Sequence, residues 1–378
     1  MQSADVVIVG AGIVGLAHAW SAAKRGLSVV VCDRSPKAEG ASIRNFGMVW
    51  PIGQSAGFCH ATALASRGLW LEFSRQSGTW IDECGSIHLA YRPDEWAVLE
   101  EFAQRAPALG YKVRLFDREA ALDHSPAANP RGLLGGLYSS TELCVDPRAV
   151  LPALAAWLKE QHRVEIHFGS AVRSVDGKTV ETADGKQIAA GRTLVCGGAD
   201  FETLFPDVFA KSGLRRCKLQ MLRTRVQPDN WRIGPHVASG LTLRHYRNFE
   251  VCESLAALKR RVHAEAPELD RYGIHVMASQ NGAGEVILGD SHEYDAEITP
   301  FDKVRIDELM LQELRPLIRL KDWTIAERWS GIYAKHATDP QFTADPLPNV
   351  HIISATGGSG MTMSFGLAEH NWRRWMID

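Results

Sequence analysis

Val6-Val7-Ile8-Val9-Gly10-Ala11-Gly12-Ile13-Val14-Gly15 opens the first regular element of the chain. Its first four residues form a continuous β-branched run, the pattern of a strand buried on both faces of a parallel sheet. The six that follow carry the spacing Gly-x-Gly-x-x-Gly. Gly10 permits a tight turn after the strand, Gly12 lets the backbone approach a pyrophosphate, and Gly15 lets a helix pack against the sheet. Leu16 to Arg25 reads as that helix, closed by Gly26. Its N-terminus offers N–H groups and a positive dipole end to phosphates. Ser28 to Cys32 is a second buried strand, and Asp33 ends it, where a carboxylate can accept hydrogen bonds from ribose hydroxyls. Strand, turn, helix and strand in this order predict a dinucleotide site in an α/β protein. Asp33 disfavours NADP, because a carboxylate repels a 2′-phosphate; Arg34 beside it weakens that repulsion. The fingerprint alone does not separate FAD from NAD.

Working outward, the chain of 378 residues suits about two domains. Hydrophobic residues at 45% and charged residues at 23% are the composition of a globular protein with a full core, not of a disordered chain. A net charge of −2 gives no electrostatic reason to bind nucleic acid or an anionic membrane surface. The basic cluster Lys259-Arg260-Arg261 reads as a solvated helix face. The seven cysteines are scattered without a CxxC pair, which argues against a disulfide framework or a metal motif and predicts a reducing, cytoplasmic setting. The leader Met-Gln-Ser-Ala-Asp lacks the basic start of a signal peptide, and no segment reads as transmembrane.

Further along, residues from about Thr62 to Ser77 look helical. Asp146 and Pro147 open a helix over Arg148–Gln161, with Asp146 as N-cap and Pro147 at the first helical position. Val164–Phe168 reads as a strand, Val172–Val175 and Thr179–Glu181 as a hairpin, and Thr193–Cys196 as a buried strand ending in Gly197-Gly198. From Lys218 to Trp323 strand-like stretches (Leu219–Val226, Gly273–Met277, Glu285–Leu288) mix with helices at about Leu255–Ala266 and Asp302–Leu314. Val350–Ser354 is a strand, Ala355–Gly360 a Gly-rich turn and Met361–Trp375 a helix. Dinucleotide-type features thus recur at the beginning, middle and end. The expected architecture is a Rossmann-like domain from residues 1–79, 144–217 and 325–378. A second, α+β substrate domain is expected from the insertions 80–143 and 218–324, with a ligand between the two.

Four stretches recur in a telling order: Gly40-Ala41-Ser42-Ile43-Arg44-Asn45-Phe46-Gly47, Val145-Asp146-Pro147, Leu194-Val195-Cys196-Gly197-Gly198-Ala199, and Ala355-Thr356-Gly357-Gly358-Ser359-Gly360-Met361-Thr362. With the N-terminal unit they resemble the D-amino-acid oxidase superfamily of FAD enzymes, in its glycine oxidase and sarcosine oxidase branch. The resemblance implies FAD held by the Gly10–Gly15 turn, including Ile13 and Val14, by Asp33 and Arg34, and by the Ser42–Gly47 loop passing close to the flavin. It makes Val172 the position whose backbone contacts the adenine. The turn around Gly357 and Gly358 would present N–H groups to the pyrimidine edge of a flavin. The resemblance further implies hydride transfer from the carbon beside an amine nitrogen, followed by hydrolysis of the imine, with O2 or another electron acceptor. The cofactor carries the chemistry and the protein positions the amine, so no catalytic triad is required. Some sarcosine oxidase-like members attach FAD to a cysteine after a Trp-x-Gly element. Here that stretch, Trp329 to His336, has none, and FAD is expected to be non-covalent.

Candidates for an anionic substrate form a cationic and hydrogen-bonding set: Arg44, Tyr246 and Arg247, His275 on an expected strand, Ser291, His292 and Tyr294, then Trp329, Tyr333, Lys335 and His336. Lys335 and His336 are the candidates for a catalytic or oxygen-activating cation. No metal site is expected. The Tyr and Arg pair with which the family clamps a carboxylate has no clear counterpart, and the overall pattern resembles a branch associated with phosphonate breakdown. The expectation is an FAD-dependent oxidase or dehydrogenase acting on a small amine that carries a carboxylate or phosphonate. The alternatives are an NAD-dependent dehydrogenase, which needs a second nucleotide half, and a non-catalytic flavin-binding protein.

Overall fold

The computed structural model describes residues 1–295, 298–354 and 356–376. Ala355, part of the expected Gly-rich turn, lies outside the described residues. The opening run forms the strand Gln2–Val9, followed by the helix Ile13–Ala23 and the strand Val29–Asp33. Five parallel strands lie in the order Val350–Ser354, Gln187–Val195, Gln2–Val9, Val29–Asp33 and Glu165–Phe168. Strands drawn from the two ends and the middle of the chain therefore sit side by side, as the dispersed motifs predict. The expected hairpin, Val172–Val175 with Thr179–Thr182, continues antiparallel into the first half of Gln187–Val195, while the second half of that strand pairs with Val350–Ser354.

Alternation along the strands makes two layers. Val6, Ile8, Val29, Val31 and Leu194 face a helical layer of Ile13–Ala23, Phe58–Ser77, Pro147–His162 and Gly360–Trp375. Val7, Val30 and Cys32 face the hairpin instead. Large aromatics knit the helices together: Trp20 meets Trp157 and Phe365 edge-on, at 5.0 and 5.2 Å between ring centres. The Trp70 indole donates to the Met361 carbonyl at 2.7 Å, which ties the C-terminal helix to Phe58–Ser77. Asp146 caps its helix as expected, accepting from the Arg148 N–H.

Among the described residues the second sheet has nine strands, and at one end Arg215–Val226 pairs along its length with Ile325–Lys335. The expected division of the chain departs from this pairing in two places. A boundary after residue 217 falls inside a continuous strand, and residues 325–335, expected with the FAD-binding segments, are hydrogen-bonded into this sheet. The strand expected over Gly273–Met277 is Met277–Gln280 instead. Gly273 lies at φ +54°, and the Ile274 N–H donates to the Leu269 carbonyl, so these residues close the preceding helix rather than extend the ladder. His275 lies just before that strand, with its N–H and carbonyl both bonded to Asp290. A core of Leu89, Phe102, Leu137, Phe249, Leu288 and Met310 fills the space between this sheet and its helices. Among the described residues no helix is long and apolar enough to cross a membrane.

Three histidines are enclosed in these cores. Burial lowers the pKa of His18 from 6.5 to about 4, of His88 to about 3 and of His236 to about 4. An unfolded chain takes up these protons below pH 6.5, and the folded protein takes them up only near pH 3–4. Stability is thus insensitive to these groups above 6.5 and is lost as pH falls from there toward 4. The expected loss is on the order of 1 kcal/mol per histidine by about pH 5.5. Urea unfolding at several pH values checks it, and His88→Gln should flatten the slope.

Candidate functional site

The glycine turn sits between two parallel strands. Gly10 donates to the Cys32 carbonyl at 2.8 Å, and the Cys196 N–H donates to the Val9 carbonyl at 2.8 Å. Gly10 has φ +107°, and a Cβ there would overlap the Cys196 carbonyl oxygen. Gly15 backs onto the Gly10 carbonyl so closely that any side chain is excluded, which is the helix-packing role its spacing predicts. Both Asp33 carboxylate oxygens are engaged: Oδ2 accepts from the Ala11 N–H at 2.7 Å and Oδ1 from the Ser35 N–H at 2.8 Å. Asp33 thereby braces the turn as well as facing the cleft. Ser42 Oγ accepts from the Ile13 N–H at 3.0 Å, joining the loop after the second strand to the helix N-terminus. Arg34 reaches Asp200 at 2.6 Å, so its charge is already paired.

These groups line a cleft of about 880 Å³ that runs from the carboxyl ends of the parallel strands to Ile13, Gly360 and Met361. Gly10, Gly12, Val14, Asp33, Arg34 and Val172 lie along it, as do Gly197 and Gly198, Ser42, Arg44, Asn45 and Gly358. The structure thus gathers most of the expected cofactor residues around one space. A Cβ built on Gly12 would point at Ser42 Oγ, 3.1 Å away, so the glycine keeps this passage open. Gly15 and Gly47 do not line this cleft; Gly47 packs against the Val145 carbonyl and donates to Asn45 Oδ1 at 2.8 Å. Thr356, from the C-terminal Gly-rich stretch, also borders the cleft, as do Leu219 and Arg216, which carry no motif that would have identified them.

A smaller cavity of about 90 Å³ adjoins the cleft, and the two share Asn45, Leu219, Tyr333, Gly358 and Met361. Phe46, Gly357, Ser359 and Thr362, expected to touch the cofactor, line this smaller space. Trp50, Gln54 and Met221 enclose it, and its polar end carries His245, Tyr246, His275, Asp290, His292 and Tyr333. Burial keeps the Tyr246 and Tyr333 phenols neutral by raising their pKa. No sequence motif singles out His245 or Asp290; they belong to separate segments and only the fold unites them.

The remaining candidates lie elsewhere. The Arg247 guanidinium donates to the carbonyls of Ala337 and Thr338. Trp329 packs beneath Arg148, whose guanidinium lies 5.0 Å from the ring centre. Lys335 Nζ donates to the Tyr294 hydroxyl at 2.9 Å, and burial lowers its pKa. His336 Nδ1 accepts from the Asp339 N–H at 3.1 Å and caps a turn. Ser291 Oγ accepts from the Gln220 N–H at 3.1 Å. None of these five side chains lines either cavity.

The cleft is made by side-chain-free backbone at a helix N-terminus between parallel strands, which fits a dinucleotide pyrophosphate. Comparison with known proteins agrees. The family described as FAD dependent oxidoreductase (DAO) matches residues 5–371. A component of the opine oxidase of Rhizobium meliloti is 26% identical over 247 residues, covering 59% of this chain and 64% of that protein, so the match spans less than two thirds of the relative. Among solved structures, glycine oxidase from Geobacillus kaustophilus superposes with a TM-score of 0.77 at 18% identity, covering 98% of this chain and 94% of that one. L-proline dehydrogenase from P. horikoshii gives 0.74 at 19%, covering 97% and 92%.

Gly12→Val fills the passage beside Ser42. Purified Gly12→Val protein should retain its far-UV circular dichroism and lose at least about tenfold in FAD affinity, equivalent to ~1.4 kcal/mol or more. Flavin absorbance per chain measures this.

Proposed function

From its membership of the DAO family of FAD-dependent oxidoreductases, we propose that this chain oxidises the carbon–nitrogen bond of a small primary or secondary amine carrying an anionic group. The product is an imine that water hydrolyses. The family membership corrects the NAD-dependent alternative. The observation that carries the substrate reading is the small cavity, polar at one end, that adjoins the long cleft across Asn45, Tyr333, Gly358 and Met361. We assign the parallel sheet and its helices to FAD binding and the nine-stranded sheet to the substrate wall.

In this reading the N–H groups at the start of Ile13–Ala23 meet the pyrophosphate, Asp33 meets the ribose, and Val172 lies at the adenine. The Gly357–Gly360 backbone meets the flavin. When bound, FAD supplies the two-electron acceptor for the amine. The chain's own residues bind and orient. Tyr246 and Tyr333, kept neutral by burial, donate hydrogen bonds to the anionic group of the substrate. Phe46, Met48 and Trp50 exclude water from the reacting carbon. A cavity of about 90 Å³ favours a small substrate over a bulky amino acid. The opine oxidase relative supports an amine-linked reading, and an N-alkylated aminophosphonate remains within the proposed class.

FAD is proposed to be non-covalent. Cys217, opposite Tyr333 in the strand pair, lines neither cavity, and burial pushes its thiol up to about 12. Acid precipitation should leave flavin in the supernatant; colour in the pellet contradicts the proposal.

The deciding experiment is anaerobic mixing of the flavin-loaded protein with glycine, sarcosine, an N-methyl aminophosphonate and a simple alkylamine. Bleaching by the amines that carry an anionic group, and not by the alkylamine, supports the reading. No bleaching by any of them favours a non-catalytic flavin-binding protein. Tyr246→Phe should raise the KM of the best substrate about 10-fold or more, the worth of one hydrogen bond to a charged group. Its flavin content should not change.

A further inference from the structure

At the polar end of the small cavity three imidazoles converge from separate segments. His245 follows the turn Gly240–Arg244, His275 precedes the strand Met277–Gln280, and His292 lies between Glu285–Gly289 and Glu293–Asp295. One ring nitrogen from each lies within 4.8 Å of the others. Ring centres are 3.9 Å apart for His245 and His275, and 4.9 Å for His275 and His292. Asp290 adds a carboxyl group, 3.4 Å from His275 Nε2 and 3.8 Å from His292 Nε2.

The hydrogen bonding of this cluster is incomplete. Both ring nitrogens of His275 and Oδ1 of Asp290 have no hydrogen-bond partner among the described residues, although His275 is 3% exposed and Asp290 5%. Such groups are costly when left unsatisfied. His292 is different: its Nδ1 lies 3.2 Å from the Gly273 carbonyl, so this nitrogen carries the proton and Nε2 presents a lone pair toward Asp290. A backbone carbonyl orienting the far nitrogen is how metal-ligating histidines are commonly held. The segments bearing His275 and Asp290 are locked together by two backbone hydrogen bonds, His275 N–H to the Asp290 carbonyl and the reverse.

We propose that His245, His275 and His292, with Asp290 as the adjoining carboxylate, bind a divalent transition-metal cation of the Zn²⁺ type on the wall of the small cavity. Three imidazoles and a carboxylate are a donor set suited to such ions. Nitrogens about 2.1 Å from one cation lie about 3.4 Å apart, so side-chain movements on the order of 1 Å close the site. The neutral imidazole is the ligating form. The carboxyl group beside two of the rings selects a cation over an anion. The nearby positive groups are otherwise engaged: Arg244 pairs with Asp270, and Lys335 bonds Tyr294. The cluster faces the cavity, so a bound cation would offer an open position to an anionic oxygen of the substrate. That role rests on the proposed function; the metal site itself does not.

The test is metal analysis of the flavin-loaded protein, without turnover, after incubation with Zn²⁺ or Co²⁺ and removal of excess. The expected result is about one metal per chain, with the visible Co²⁺ bands of a four- or five-coordinate site. His275→Ala and His292→Ala should each lower Zn²⁺ affinity at least about tenfold, while an unchanged flavin spectrum shows that they fold. Substoichiometric metal in the parent protein, or equal metal in parent and variants, overturns the proposal. So does binding of inorganic phosphate with proton uptake by a protein that takes up no Zn²⁺, which would make the cluster an anion site. Because no amine is present, these outcomes are separate from failure of the amine-oxidation reading.

Discussion

The close approach of bare backbone at the ends of the parallel strands is the constraint on which the rest depends. Gly10 lies under the Cys196 carbonyl, Gly15 lies against the Gly10 carbonyl, and Asp33 clamps Ala11 and Ser35 from the neighbouring strand. A side chain at Gly10 or Gly15 would separate the helix from the sheet. With the three glycines in place, the helix N-terminus, the Ser42 loop and the Gly197-Gly198 turn surround a single cleft. The positive end of the helix faces that cleft, an arrangement that favours an anionic group at a helix N-terminus.

The substrate side depends on a different contact. Arg215–Val226 and Ile325–Lys335 are far apart in the chain and pair from Arg215↔Lys335 to Thr224↔Ile325. That ladder brings Leu219, Met221 and Tyr333 to the cavity and ends beside Gly358, where a Cβ would lie 3.1 Å from the Tyr333 ring. The cleft and the cavity meet at this point because the end of Ile325–Lys335 is bridged to the turn before the C-terminal helix, Lys335 pairing with Thr356. The same ladder draws Lys335 away from the cavity and toward Tyr294, on the strand that flanks Arg215–Val226 on its other side.

The electrostatics of the cavity follow from enclosure. Tyr246, His245 and His275 are held in their neutral forms by burial, so much of the pocket's polarity resides in hydrogen-bonding groups and lone pairs. An arrangement of this kind responds strongly to whatever charge enters it, since little solvent is present to screen that charge.

The cofactor half was legible in the sequence because it is encoded locally. A β-branched run, three glycines at fixed spacing and an acidic residue closing the next strand lie within one short stretch, and Gly15 and Asp33 act on Gly10 and Ala11 within it. The helix cap at Asp146 and the strand Val350–Ser354 were legible for the same reason. The expected strand placing His275 was not, because the left-handed Gly273 and the Ile274–Leu269 hydrogen bond belong to helix closure rather than to the strand pattern. Arg247, Lys335 and His336 stand out by residue type, and the structure turns each toward a partner outside the cavities. The sequence by itself determined the dinucleotide turn, the parallel strands and the glycine-lined cleft, since their causes are backbone sterics and short-range periodicity. Only the tertiary structure decided which polar side chains share the small cavity. Convergence of His245, His275, Asp290 and His292 depends on strand register and loop closure between distant segments, and no spacing along the chain records it.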